Sequence, residues 1–263
     1  MRLDLYLVEK KLCSTRSKAS QLIRSGNVLL NDKPITNKGY DVKEKDVITI
    51  RENDVLKFVS RGGHKLEKAI RDFHLNFKDK VICDIGASTG GFTDCALKYG
   101  AKKVYSIDVG ESQLVQELRD NPRVVTLENT NFRYIDKKKV FKDKIDFYVC
   151  DVSFISSREI IKTLVSFKED FHLILLFKPQ FEVGKERIND NGVVSKTEYL
   201  VDALEDFHRF LKEEGLVLLK ETYSPIVGNK EGNIEFLMEI ASKGNDIKTD
   251  EKGLVEKAVA ALS

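Results

Sequence analysis

The chain lacks long apolar runs. None is longer than Leu173 to Phe177, far short of the roughly 20 residues that a membrane-spanning helix needs. Met1-Arg2-Leu3-Asp4 opens the chain without the apolar core of a signal peptide, so a cytoplasmic protein with no stable membrane association is expected. Cysteine is scarce and unpaired in sequence. Cys13, Cys83, Cys95 and Cys150 form no Cys-x-x-Cys motif, and three of them lie in or beside apolar segments. That pattern argues against a zinc site and a disulfide framework, and predicts buried free thiols. Tryptophan is absent altogether, and there is neither an internal repeat nor a low-complexity segment.

What is present is the balance of a globular protein, 41% hydrophobic and 33% charged over 263 residues, enough for one small domain and one full α/β domain. The net charge of +2 is unevenly spread. Residues 1–70 hold fifteen basic and nine acidic residues, a surplus of +6 that leaves −4 to the remainder. A basic module joined to a mildly acidic one is the asymmetry expected when one part holds a polyanion.

The first fifty residues read as short helices followed by short strands. Leu3, Tyr6 and Leu7 suit a first helix. Ser14-Thr15-Arg16-Ser17 offers N-cap chemistry to a second, with Ala19, Leu22 and Ile23 on one face and Gly26 as its stop. Val28–Leu30, a polar turn at Asn31–Pro34 and a strand at Val47–Ile50 follow. This pattern resembles the alpha-L RNA-binding domain first named for a small-subunit ribosomal protein. The resemblance is carried by Arg2-Leu3-Asp4, Thr15–Ala19, and Ile23 through Val28 into Leu29–Ile35. It implies RNA contacts from Arg2, Arg16, Lys18, Arg24 and Lys33, although each alone also reads as a solvated surface cation.

Polar residues 51–62 end in Arg61-Gly62-Gly63, a hinge-like stretch before a helix expected over His64–Phe73. Beyond it strands and helices alternate. Strands are expected at Val81–Ile85, Lys103–Ile107, Val124–Leu127, Ile145–Cys150 and Leu173–Phe177. Helices are expected at Gly91–Tyr99, around Leu114, Val115 and Leu118, and along the stripe Leu200, Ala203, Leu204, Phe207, Leu211. Such alternation predicts an α/β class, a doubly wound Rossmann-like sheet behind a small N-terminal α+β domain, with the boundary at 59/60. Leu216–Leu219 and Ile234–Ile240 are expected as an antiparallel pair at the sheet edge.

Directly after the first of these strands stands Asp84-Ile85-Gly86-Ala87-Ser88-Thr89-Gly90-Gly91-Phe92. Glycines there allow a tight turn and close backbone approach to a ligand, and the following helix start presents free N–H groups. The loop has no Gly-Lys-Ser/Thr for a Walker site, and the Gly-x-Gly-x-x-Gly spacing is not met. It resembles the Asp-x-Gly-x-x-x-Gly-Gly loop of S-adenosylmethionine methyltransferases. That resemblance assigns Asp84, Gly86, Ser88, Gly90, Gly91 and Phe92 to the cofactor, Asp108 at the end of the second strand to its ribose, and Asn131 to its adenine side.

Lys65, Asp151, Lys178 and Glu235 lie at the edges of these elements, and strand carboxyl ends surround the ligand crevice in open α/β sheets. Ser60–Leu66, Asp151–Ser156, Lys178–Gly184 and Gly232–Glu235 together resemble the TlyA, or hemolysin A, family of ribosomal RNA 2'-O-methyltransferases, with a catalytic domain of the FtsJ type. The resemblance implies a Lys-Asp-Lys-Glu tetrad on those four residues, S-adenosylmethionine as cofactor, no metal, a ribosomal RNA cytidine as target, and no required oligomer. Relatives often carry tryptophan before the position of Ser60, where this chain has Lys57-Phe58-Val59. Lys178 is the expected base, with Lys65 beside it and Asp151 and Glu235 orienting the pair. Two rival readings are a non-catalytic ribosome-assembly factor, which requires a broken loop or tetrad, and a membrane-lytic protein, which requires an apolar or amphipathic span.

The charge asymmetry yields the first prediction. RNA affinity should fall steeply with salt, because phosphate contacts release counterions, and deletion of residues 1–59 should abolish tight RNA binding. A salt-independent affinity in filter-binding titrations would contradict it.

Overall fold

Leu3 and Leu7 lie one helical turn apart and both are fully buried, which fixes the inner face of α1 (Leu3–Glu9). In the computed structural model, which describes residues 1–13, 15–51, 57–228 and 232–262, this helix belongs to the first of two units, Met1–Arg61 and Gly62–Ser263. α2 (Arg16–Arg24) packs on α1 through Ala19, Leu22 and Ile23, all fully buried. Its N-cap is Thr15, whose hydroxyl accepts from Lys18 N at 3.2 Å; Ser14 lies outside the described residues.

β1 (Val28–Leu30), β2 (Lys33–Pro34) and β3 (Ile48–Ile50) form a sheet in the order β2-β1-β3. The turn expected over Asn31–Pro34 is shorter than its composition suggests. Asn31 and Asp32 alone take positive φ, 51° and 64°, the geometry of a tight two-residue hairpin, so Lys33 and Pro34 already pair with β1. Proline is tolerated there because β2 is an edge strand.

The second unit begins with α3 (Gly62–Phe73), two residues before the expected start. Gly62 and Gly63 are therefore helical rather than hinge; glycine carries no apolar periodicity to announce a helix. Of the stretch 51–62 before it, residues 52–56 lie outside the described residues. There follow β4 (Val81–Ile85), α4 (Gly91–Lys98), β5 (Lys103–Ile107), α5 (Gln116–Arg119), β6 (Val124–Leu127), α6 (Lys137–Val140), β7 (Phe147–Cys150), α7 (Ser157–Ser166), β8 (His172–Phe177), α8 (Thr197–Glu213), β9 (Val217–Tyr223), β10 (Phe236–Ala241) and α9 (Glu251–Leu262). The helix expected around Leu114 shrinks to one turn. Glu128 accepts from the backbone N–H groups of Ser112, Gln113 and Leu114 and holds that stretch as a loop.

The sheet order is β6-β5-β4-β7-β8-β10-β9. The first five strands are parallel, and β10 runs antiparallel to both neighbours, as expected of a terminal antiparallel pair. Alternation along the strands divides the core. Cys83, Ile107, Cys150, Leu175 and Met238 join one apolar cluster with α7, α8 and α9. The intervening residues face the other side, where α3 packs on α4 and on β9 and β10. This is the doubly wound α/β fold. Strand order reverses between β4 and β7, which makes their carboxyl ends the ligand crevice.

In the first unit, Asp4 is 2% exposed and accepts from Arg2 Nε at 3.1 Å and Arg16 Nη2 at 3.1 Å. Burial pushes its carboxyl up, but hydrogen bonds and charge from the two arginines outweigh this and hold it below the usual carboxylate range. A depressed carboxylate adds stability above its unfolded value, near 3.8, and loses it as pH falls through the folded value. Asp4→Asn should accordingly speed amide exchange in α1 and α2 roughly tenfold at pH 7, about 1.4 kcal/mol. The difference should shrink as pH falls below 3.8 and through the lower folded value. Equal exchange at pH 7 would remove Asp4 from the stability of this unit.

Candidate active site at the carboxyl edge of the sheet

The loop after β4 turns at Gly86, whose φ of +83° suits glycine alone. A Cβ there would lie 2.8 Å from the carbonyl oxygen of Asp151, so the loop and the end of β7 are in direct backbone contact. Gly90, φ +99°, caps α4, and a Cβ on it would collide with Leu114 and Leu118. Gly90 is thus required for packing as well as for the turn. Gly91 and Phe92 follow as buried first residues of α4.

Beneath the loop Asp84 is fully buried. Its Oδ2 accepts from Thr93 Oγ1 at 2.6 Å, Thr93 in turn meets Ser106 Oγ at 2.7 Å, and Asp84 Oδ1 has no hydrogen-bond partner among the described residues. Burial pushes the carboxyl up to about 7, with the Thr93 hydrogen bond opposing and the charges of Asp151 and Asp108 reinforcing the shift.

Asp108, just past β5, accepts from Ser88 N at 2.7 Å and Gly110 N at 2.8 Å. Asn131 caps a short 3₁₀ turn by accepting from Arg133 N at 3.1 Å, the role of a plain turn asparagine, yet it also faces the cavity. That cavity, about 440 Å³, has Gly86, Ser88, Asp108, Asn131 and Asp151 in its walls. Asp84, Gly90, Gly91 and Phe92 lie outside its lining. Sequence reasoning missed Val109, Gln113, Phe132, Phe154 and Ile155, which line it too. Val109 and Phe154 are 67% and 89% exposed, a surface signal that no sequence pattern carries.

Beside the cavity stand two ion pairs. Lys178 Nζ lies 2.6 Å from Asp151 Oδ1 and donates to Ser153 Oγ at 2.8 Å. Lys65, on the second turn of α3, lies 2.5 Å from Glu235 Oε2. Lys65, Lys178 and Glu235 are 4%, 7% and 2% exposed. The antiparallel strand explains how Glu235 arrives. Phe236 pairs with Phe177, so one further step along the ladder sets Glu235 opposite Lys178 at the carboxyl edge. All four tetrad positions therefore meet at that edge as two neutral pairs, with no cluster suited to a metal among the described residues.

Residues 58–240 match the FtsJ-like methyltransferase family, and residues 1–48 match the S4 domain. The 16S/23S rRNA (cytidine-2'-O)-methyltransferase TlyA of Mycobacterium tuberculosis is 34% identical over 263 residues, all of this chain and 97% of its own length. The chain belongs to the TlyA family of FtsJ-like methyltransferases. Another relative, the Bacillus subtilis protein YqxC, is 43% identical over 242 residues, covering 91% of this chain and 85% of its own. A solved structure from Streptococcus thermophilus, named as a hemolysin candidate, superposes with a TM-score of 0.77 at 37% identity, covering 99% of this chain and 96% of its own. No described helix is long and apolar enough to cross a membrane.

The buried carboxyl beneath the TlyA-family loop generates a prediction about pH. With its folded value raised to about 7 from an ordinary 3.8, Asp84 favours the folded state most below pH 4 and loses that advantage as pH rises through 7. Asp84→Asn cannot ionise. Thermal melts of parent and variant should therefore shift relative to each other in the variant's favour between pH 4 and 8; a constant gap would show that Asp84 is ionised throughout.

Proposed function

We propose that this chain methylates a ribose 2'-hydroxyl of ribosomal RNA, on a cytidine, using S-adenosylmethionine, with the N-terminal unit gripping RNA and the Gly62–Ser263 unit carrying the chemistry. The observation that carries the reading is the pair of buried lysine–carboxylate contacts beside a ligand-sized cavity at the switch point of a doubly wound sheet. The loop and tetrad are intact, which removes the reason to prefer a non-catalytic assembly factor.

The cavity fits the cofactor's chemistry. Asp108 has lone pairs beyond those used by Ser88 and Gly110 and is placed for a ribose diol; Phe132 and Val109 offer apolar walls for a base. The carboxylates of Asp108 and Asp151 stand in the cavity wall, which suits a cationic ligand. S-adenosylmethionine supplies a methyl group on sulfonium, already activated for displacement, so the difficulty lies with the weakly acidic hydroxyl.

Lys178 meets that hydroxyl. To accept its proton the lysine must first part with one of its own, and Asp151 Oδ1, 2.6 Å away, is the acceptor in contact. Ser153 fixes the ammonium's direction, and Lys65, held by Glu235, supplies positive charge for the developing oxyanion or a neighbouring phosphate. Phe154, exposed at the cavity rim, is suited to stacking on a nucleotide base. Proton transfer contributes roughly 10²–10⁴-fold, and alignment of the hydroxyl roughly 7–11 kcal/mol, so positioning outweighs deprotonation.

Labelled cofactor incubated with separated ribosomal subunits, followed by mapping of the 2'-O-methyl nucleotide, tests the activity directly; label on a base would refute it. Lys178→Ala should leave cofactor and RNA affinity near the parent's while single-turnover methyl transfer falls by at least ~10². Lys178→Arg separates two roles, because arginine keeps the charge and never surrenders the proton. A base predicts failure close to alanine's. Recovery of most of the rate would make Lys178 an electrostatic positioner.

A further inference from the structure

Two loops carry the Lys178–Asp151 pair, one running from Asp151 to the start of α7, the other from Lys178 to Glu182. Glu182 joins them. Its side chain is 3% exposed, Oε1 accepts from Ser157 N at 2.6 Å, and Oε2 accepts from Ser156 Oγ at 2.7 Å, with Arg158 Nε at 3.6 Å. A carboxylate on the first N–H groups of a ten-residue helix is stabilised by the helix dipole and satisfies donors with no intrahelical partner. Ser156 itself caps α7 by accepting from Arg158 N at 3.2 Å.

Glu182 is in turn rigidly linked to Lys178. The 3₁₀ turn Pro179–Phe181 begins directly after the lysine; Phe181 N donates to Lys178 O at 3.0 Å and Glu182 N to Pro179 O at 2.9 Å. Beside it the rings of Phe154 and Phe181 stand 5.3 Å apart. The lysine, its carboxylate partner and its Ser153 acceptor thus come from two loops that leave neighbouring parallel strands and are joined again beyond the strand ends through Glu182.

We propose that Glu182 is a positioning residue for the methyl-transfer step, acting through Lys178 by fixing the spacing of the β7 and β8 loops. This rests on the role given to Lys178 above. Glu182 touches no reacting atom. Its removal frees the two loops to drift, and a displacement near 1 Å between reacting groups costs on the order of 10²-fold in rate.

The test is a double-mutant cycle on the full-length chain, with S-adenosylmethionine and the ribosomal subunit that accepts methyl, read by single-turnover rate. Glu182→Ala should lower the rate at least about tenfold, with KM for RNA and calorimetric cofactor affinity within about threefold of the parent. Glu182→Gln keeps one oxygen acceptor and should recover part of the loss. In a Lys178→Ala background, Glu182→Ala should change the rate less than about twofold, because the group through which it acts is gone. A merely structural role would lower the melting temperature in both backgrounds and multiply the two rate losses; that multiplication, or an unchanged rate in Glu182→Ala, overturns the proposal. Should Glu182→Ala fail to fold, the same cycle run with Glu182→Gln decides. If Lys178→Ala keeps the full rate, the role of Lys178 fails and takes this proposal with it, whereas a slow Lys178→Ala with a fast Glu182→Ala sinks Glu182 alone.

Discussion

Two lysines less than a tenth exposed must each have a carboxylate in contact, and the architecture of the catalytic unit follows from that requirement. An unpaired ammonium taken out of water costs several kcal/mol, and truncating one partner of a buried pair costs about 3–5 kcal/mol. Supplying two carboxylates to one edge of the sheet needs two kinds of strand. β7 ends there and delivers Asp151. β10 begins there, because it runs the other way, and delivers Glu235 opposite Lys178. A fully parallel sheet would start β10 at the far edge and leave Lys65 without its partner.

Strands such as Leu173–Phe177 were legible as short, nearly unbroken apolar runs, and Val81–Ile85 stood out likewise with Asp84 as its one charged member. Lys65, Asp151, Lys178 and Glu235 could be picked out as element-edge residues, but their pairing could not. Nothing in the spacing 65, 151, 178, 235 says that Lys65 binds Glu235 rather than Asp151. The register Phe236 with Phe177 brings Glu235 to the carboxyl edge, and the side chain of Lys65 on α3 reaches it there. Local signals failed where tertiary contacts override composition. Leu114 and Val115 have helical spacing with Leu118, yet Glu128 gathers three backbone N–H groups from a strand end fourteen to sixteen residues away and keeps the segment open. α7 and α9 escaped notice as well. α7 follows the Asp151–Ser156 string so closely that its cap reads as part of the motif, and Glu182, the carboxylate that completes that cap, is twenty-five residues distant.

The glycines divide by cause in the same way. Gly86 is demanded by the backbone of Asp151, Gly90 by the side chains of Leu114 and Leu118. The loop therefore reports on two neighbours at once, the end of β7 and the segment after β5. A change at Gly86 reaches Asp151 through the main chain before any ligand is involved, which ties the cavity to the ion pairs mechanically as well as by proximity.

Charge placement follows from the partners such an enzyme must hold together. A polyanion is attracted by net positive charge, and that charge is concentrated in the first seventy residues. The arginines there are not wholly free for phosphate, since buried Asp4 binds both Arg2 and Arg16 while leaving them 49% and 60% exposed. One carboxylate thus orders two guanidiniums without neutralising the surplus. At the sheet edge the opposite condition holds. A cationic cofactor is repelled by unpaired lysines, and on the proposed function an RNA hydroxyl is to be held there beside its own phosphates. Two lysines matched by two carboxylates, with Asp108 beside the loop, make a site that attracts neither partner indiscriminately. On the proposed function, affinity for RNA then belongs to one unit and alignment of one hydroxyl to the other.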